Sequence, residues 1–390
     1  MRRLAYTCAI IASGLFASTL AAQQEDSVPE RPFVAGGIYD KPYLGRLFGR
    51  AAIGGYAEAH FRYGRVDGAT DELRFVPKRF NLFTFAQVSD FIQLAAELEF
   101  EDGTEEILLE FAVIDFTIHR AITFRGGQLL VPLGRFNLSH DSPINEFTDR
   151  PIVAEDIIGV ALSMPGFGLL GQLPIGRRSR ITYEVYAING YDEGVIGDSE
   201  DGTFIPNGKQ NIENENKKLA GVGRVSFSPN LGWELGLSGY AGAYNSSEED
   251  GLVVAEDQYI TMAVLDFEAL PLGIRLSGEG TLASVDIPQS LQATFASRQA
   301  GVYIDALWDF GRAWIKTMPR SYFTVGARWD YADFDRDRPG RDINQITLGA
   351  NFRPTSDTVF KLNYVRGREH DEFNNAADLA RILFSVATYF

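Results

Sequence analysis

One cysteine, four histidines and four tryptophans are all that 390 residues contain of those side chains. With Cys8 alone the chain has no intrachain disulfide and no thiolate metal centre, and no two of His60, His119, His140 and His370 stand at metal-site spacing. Long apolar runs are equally scarce. A membrane-spanning helix needs about 20 apolar residues in succession. Past the first two dozen residues the nearest approach, 157–174, is broken by Pro165 and by Gly159, Gly166, Gly168 and Gly171. Positive charge is short as well, with 36 Lys and Arg against 52 Asp and Glu and a net charge of -16. The basic clusters that grip a phosphate backbone are missing, which excludes a nucleic-acid binder. Nothing in the residue pattern calls for a cofactor.

What the chain does have begins with an address. Arg2 and Arg3 precede an apolar run from Leu4 to Leu20, and Thr19-Leu20-Ala21 offers a small-x-small cleavage site. Residues 1–21 therefore read as a secretory signal peptide. Cys8 lies inside the apolar run, too early for lipid attachment, so the exported chain has no cysteine. Export without cysteine suits a bacterial envelope protein. Residues 22–50 carry Pro29, Pro32, Pro42 and several glycine turn signals, the pattern of an extended periplasmic lead too short to be a plug.

From residue 51 onward, two-residue alternation dominates, and it puts successive side chains on opposite faces of a strand. Gly55, Ala57, Ala59, Phe61 and Tyr63 oppose Tyr56, Glu58, His60 and Arg62; Ile92, Leu94, Ala96, Leu98 and Phe100 oppose a face bearing Glu97, Glu99 and Glu101. Unpaired carboxylates are not buried in a dry core without several kcal/mol of penalty. That face meets water or partner charges. Turn residues divide 51–390 into sixteen strands at about 51–64, 73–88, 91–102, 105–117, 122–131, 157–173, 178–190, 217–228, 232–245, 256–268, 271–284, 298–310, 321–334, 342–353, 358–367 and 379–390. Most are longer than the five or six residues usual in a soluble sandwich, and they match a tilted bilayer crossing. Tight links (89–90, 118–121, 174–177, 229–231, 354–357, and a longer 311–320) alternate with polar loops at 65–72, 132–156, 191–216, 246–255, 285–297, 335–341 and 368–378, apart from a tight link near Gly103. The expected fold class is all-β: a sixteen-stranded antiparallel transmembrane barrel with short periplasmic turns and long extracellular loops, placed in the bacterial outer membrane.

Two resemblances add to this reading. The last strand alternates through Ala380, Ile382, Phe384 and Val386 and ends on Phe390, which resembles the terminal signature read by the outer-membrane insertion machinery; Thr388 departs from it. Leu109-Glu110-Phe111-Ala112-Val113-Ile114-Asp115-Phe116, Gly127-Gln128-Leu129-Leu130-Val131-Pro132-Leu133-Gly134-Arg135 and Asn189-Gly190-Tyr191 resemble the family of phosphate-selective porins O and P, best over about 50–190. The resemblance implies a homotrimeric porin, and in general porins the third long loop, here 132–156, folds inward and sets the constriction. The arginine ladder and lysine clusters of the phosphate-selective members have no evident counterpart.

Alternation places Glu58, Arg62, Arg79, Glu97, Glu99, Arg224, Arg328 and Lys361 on the pore lining, and both signs of charge there favour general diffusion of small hydrophilic solutes or ions with weak selectivity. In the third loop Arg135 and Arg150 would face Asp141, Glu146 and Asp149, with His140 as a hydrogen-bonding neighbour, across a constriction; the plainer alternative is that these residues pin the loop to the wall by ion pairs. The expectation is a passive channel without turnover chemistry. Its competitors are an anion- or phosphate-selective channel and a phospholipase-like barrel enzyme. Ser139-His140-Asp141-Ser142 has triad residue types, but adjacent residues do not line up as nucleophile, base and orienter. Gly166-Phe167-Gly168-Leu169-Leu170-Gly171 fits a dinucleotide fingerprint only by letter, since no helix signal follows. Acids at 192, 193, 198, 200, 201 and 248–250 read as solvated loop surface, or else as divalent-cation bridges to lipopolysaccharide.

Overall fold

Sixteen alternating segments pair antiparallel with their chain neighbours, and the first pairs with the last. In the computed structural model the described residues are 33–46, 50–103, 105–197, 202–209, 211–249, 252–253 and 255–390. The expected signal peptide at 1–21 and the start of the lead lie outside them. The strands are β1 Ala51–Val66, β2 Ala69–Gln87, β3 Ile92–Glu101, β4 Glu106–His119, β5 Ile122–Leu130, β6 Ser163–Ile175, β7 Ser179–Ile188, β8 Ala220–Asn230, β9 Trp233–Ala243, β10 Tyr259–Ala269, β11 Ile274–Val285, β12 Arg298–Phe310, β13 Tyr322–Asp333, β14 Asp342–Thr355, β15 Thr358–His370 and β16 Ala376–Tyr389. Closure runs from Tyr56 opposite Tyr389 to Val66 opposite Leu379. With no open edge, every ladder group has a partner, which is what a bilayer core demands.

Facing is decided residue by residue. Leu362 is 52% exposed while its neighbours Lys361 and Asn363 are 1% exposed, so the leucine points out of the barrel and the lysine in. Val185, Leu265, Ile346 and Leu348 are exposed in the same way, whereas Glu97, Glu99, Glu184, Asp266 and Asp330 are buried. An apolar exterior around an ionic interior is a membrane barrel's arrangement. At the short-turn rim the rings of Trp308, Phe310, Phe323, Phe352 and Phe360 adjoin one another across β12 to β15, with centroids 5.2–6.3 Å apart. They form an aromatic girdle at one interface.

The structure corrects several expected boundaries. The loop at 65–72 is a two-residue turn, Asp67-Gly68, with φ of 48° and 82°; two successive positive φ values suit a tight hairpin and let β1 and β2 extend. The strand expected from 157 starts at Ser163. Val153–Ile158 is instead a helical turn ended by Gly159 at φ 87°, and its Ile157 and Ile158 are fully buried. A short apolar run has no periodicity that separates strand from buried helix. The loop at 246–255 contains a two-residue hairpin, Glu248–Glu249 with Leu252–Val253. Most consequentially, residues 33–46 of the expected periplasmic lead lie against the inner wall: the ring of Tyr43 packs on Phe83 and Tyr389, and that of Tyr39 on Phe85.

Candidate functional site

Arginines on the inner face of a strand are stable where carboxylates stand beside them. Here many pairs run straight across the ladder. Arg125 and Asp115 are register partners and form a two-pronged pair with both arms at 2.7 Å. Arg328 and Asp305 do the same at 2.8 and 2.7 Å. Arg224 binds Asp266 at 2.6 Å and Glu234 at 2.9 Å. Arg79 stands between Glu58, Glu99 and Glu101 at 3.3, 2.8 and 2.7 Å. The planar guanidinium fork matches such carboxylates. Glu97 belongs to a different group: the amide of Asn81 donates to it at 2.9 Å and to Glu110 at 3.3 Å.

The connection between β5 and β6 turns inward across this wall. Its base is tied by Asn137, whose amide donates to the carbonyls of Val131 and Leu162 and accepts from the Leu162 N–H, at 2.7–2.8 Å. Its crest is tied by the opposite wall. Lys361 donates to the Ser142 carbonyl, Arg353 to the Pro143 carbonyl and Arg328 to the Asp149 carbonyl, each at 2.8–2.9 Å, and Asn363 accepts from the Thr148 N–H at 2.7 Å. Glu146 pairs with Arg275 at 2.7 Å and Arg353 at 3.1 Å. Asp149 pairs with Arg62 at 2.6 Å. Asp141 pairs with Lys41 and accepts from the Tyr389 hydroxyl.

The expected opposition of Arg135 and Arg150 to these three acids is therefore not formed. Arg135 pairs with Glu268 at 2.6 Å, and Arg150 donates to the Val160 carbonyl at 2.9 Å. His140 is buried, with Nδ1 2.8 Å from the Asn137 carbonyl and Nε2 2.9 Å from Glu110. Burial, reinforced by the positive charge of Arg150, brings its pKa down to about 4, so the ring is neutral at pH 7. The glycine fingerprint at 166–171 sits within strand β6, with no helix to bind a pyrophosphate.

The inward loop separates two water-accessible spaces. The one on the long-loop side, about 710 Å³, is lined by Arg62, Arg74, Lys78, Arg79 and Arg150 together with Asp149, Glu155, Asp156 and Glu369. The one on the short-turn side, about 510 Å³, is lined by Arg135, Glu146, Glu268 and Arg275 and by Asp40 and Lys41 of the N-terminal segment. In the outer space Asp156 has its pKa pushed up to about 7, by burial and then by the adjacent Glu155. Thr203, from the loop after β7, reaches the rim of this space and is held there by Gln299 and the Ala296 carbonyl.

Sequence alternation indicated the strand residues of this site, and Asp115 and Arg125 obey the same rule although they were not singled out. Lys41, Tyr39 and Tyr43 carried no such signal, because their segment has turn-like composition and no period.

No family model matches the chain. A relative in Aquifex aeolicus (strain VF5), described only as an uncharacterized protein, is 24% identical over 353 residues, covering 83% of this chain and 77% of that one. Among solved structures, the outer membrane channel DcaP of Acinetobacter baumannii superposes with a TM-score of 0.54 at 12% identity, covering 88% of this chain and 99% of that one. OprB of Pseudomonas putida gives 0.56 at 11% identity over 87% and 94%. OmpF of Salmonella typhi, in complex with daunomycin, gives 0.55 at 9% identity over 87% and 98%. The chain has the fold of the outer-membrane porins.

Proposed function

We propose that the protein is an outer-membrane porin for passive diffusion of small hydrophilic solutes or ions, with weak selectivity. The observation that carries the reading is the ion-paired lumen crossed by an inward loop, with water-accessible space on both sides of it. Arg62, Arg79, Glu58, Glu97, Glu99, Arg224, Arg328 and Lys361 are its lining, and residues 135–150 its constriction. Arginines matched by carboxylates leave little net field of either sign, which favours weak selectivity over a strong phosphate preference. The resemblance to phosphate-selective porins O and P is taken into this proposal at the level of architecture. Export by residues 1–21, contact with outer-membrane lipid and lipopolysaccharide, and assembly as a homotrimer belong to the same reading.

The enzyme alternative needs a serine hydrogen-bonded to a histidine that serves as its base. Instead Ser139 donates to the Ala35 carbonyl and Ser142 to Glu58, while both nitrogens of His140 face Asn137 and Glu110. Planar-bilayer recordings in a KCl gradient test the proposal. Stepwise conductance with a reversal potential near zero is expected. A silent bilayer, or lipase activity lost on replacing Ser139 or Ser142, sinks it.

A further inference from the structure

We infer that residues 33–46 are a gate, and that behind it lies a path through the barrel that attracts cations; the inference rests on the porin reading above. Three observations carry it. The segment occupies lumen at the short-turn end beside β1 to β4 and β16: Val34, Ile38 and Tyr43 are buried there, and the Tyr39 hydroxyl donates to Asp115 at 2.8 Å. Gly54 of β1 leaves room for it, since a Cβ at that position would overlap the Tyr43 ring.

The second observation is how the segment is attached. Its own backbone bonds are local turns, from the Gly37 N–H to Val34, Asp40 to Gly37 and Leu44 to Lys41. It adds no strand to the barrel. The wall and the inward loop hold it by side chains and by single contacts such as Ser139 of the loop to the Ala35 carbonyl. Such a unit separates from the wall without breaking a ladder.

The third is charge. Lys41 is buried in the field of Asp141, Glu97 and Glu110. Asp141 comes from the inward loop, and Asn81 bridges the other two. Among the described residues no other lysine or arginine forms an ion pair with any of the three, and Glu110 otherwise meets only the neutral His140. With the segment seated, one lysine offsets this wall. With it withdrawn, water reaches three carboxyl groups with that lysine gone; hydration favours their ionised form, and acidic rings favour cations. The same movement thus widens the lumen and changes its sign.

The test uses the full chain with Cys8→Ser, Tyr43→Cys and Gly54→Cys, Lys41 being kept. A β-carbon at Gly54 would lie against the base of the Tyr43 ring, which puts the two β-carbons within disulfide reach. Oxidised channels hold the segment in place. Reduction by dithiothreitol in the bilayer should raise conductance by about twofold and move the reversal potential toward cations. Equal conductance and potential before and after reduction overturn the gate and leave the channel reading standing. Silence in both states overturns both. With Lys41→Gln in the same background the departing segment carries no charge, so reduction should raise conductance with a smaller shift of potential; an equal shift overturns the change of sign.

Discussion

Replacing Glu146 by alanine removes the most heavily engaged carboxylate of the inward loop. Its two oxygens accept from Arg275 at 2.7 Å, Asn351 at 2.9 Å and Arg353 at 3.1 and 3.4 Å. The Arg353 side chain is 3% exposed, and stripping a buried charge of its partner costs about 3–5 kcal/mol. The Pro143 carbonyl still accepts from Arg353, which puts the loss at the lower end. Arg275 adds about 0–1 kcal/mol at most, because its side chain is 36% exposed and keeps Asp309 at 3.0 Å. The expected loss is about 3 kcal/mol, more than a hundredfold in the unfolding equilibrium. Urea unfolding in detergent micelles at pH 7, followed by circular dichroism, measures it, and the same substitution in an Arg353→Met background measures the coupling. Burial opposes ionisation of Glu146, but Arg353 and Arg275 outweigh it and hold the pKa below its ordinary value. The stabilisation is therefore present above the unfolded pKa of about 4.5 and is lost as pH falls through the lower folded value. The wild type should lose stability there and Glu146→Ala should not. A loss under about 1 kcal/mol at pH 7, or an equal loss with and without Arg353, refutes the clamp.

Asp156 gives the opposite pH dependence. Its folded pKa of about 7 lies above the ordinary value of 3.8, so its contribution is fully favourable below about pH 4 and is lost as pH rises toward 7; Asp156→Asn should flatten melting temperature over that window, and an unchanged slope counts against the assignment. Asn137→Ala strands the Leu162 N–H at the loop base, at about 1–3 kcal/mol, while the Val131 and Leu162 carbonyls keep the N–H groups of Leu133 and Val131, and proteolysis of the intact barrel should then cut within 131–162. A variant as resistant as wild type would mean that water replaces the amide. Arg328→Lys gives up the two-pronged pair with Asp305 and one of the bonds to the loop backbone; a broader distribution of single-channel conductance is expected, and an unaltered one would show that the loop does not depend on it.

The barrel was legible because one rule, alternation, acts independently on each strand, and the sixteen segments needed only turn residues to be counted. Errors arose where that rule stops. Ile157 and Ile158 are as apolar as a strand, yet they are buried in a helical turn inside the lumen. Asp67 and Gly68 close a hairpin that composition alone spreads over eight residues. The charged residues of the inward loop have as partners wall residues more than a hundred positions away in several cases, such as Glu146 with Arg275 and Arg353. Pairings of that kind depend on closure and register, which no local pattern contains. Lys41 and Tyr43 were invisible for a related reason: their significance lies wholly in the surface they touch.

The cross-ladder ion pairs also bear on assembly. Asp115 opposite Arg125 and Asp305 opposite Arg328 are matched at single register positions, and a one-residue slip of either hairpin would turn a guanidinium toward hydrocarbon while leaving its carboxylate behind. A misthreaded intermediate is thus penalised at two well-separated seams during insertion, long before the last strand meets the first. The charges that line a finished pore double as a proofreading code for the sheet that builds it.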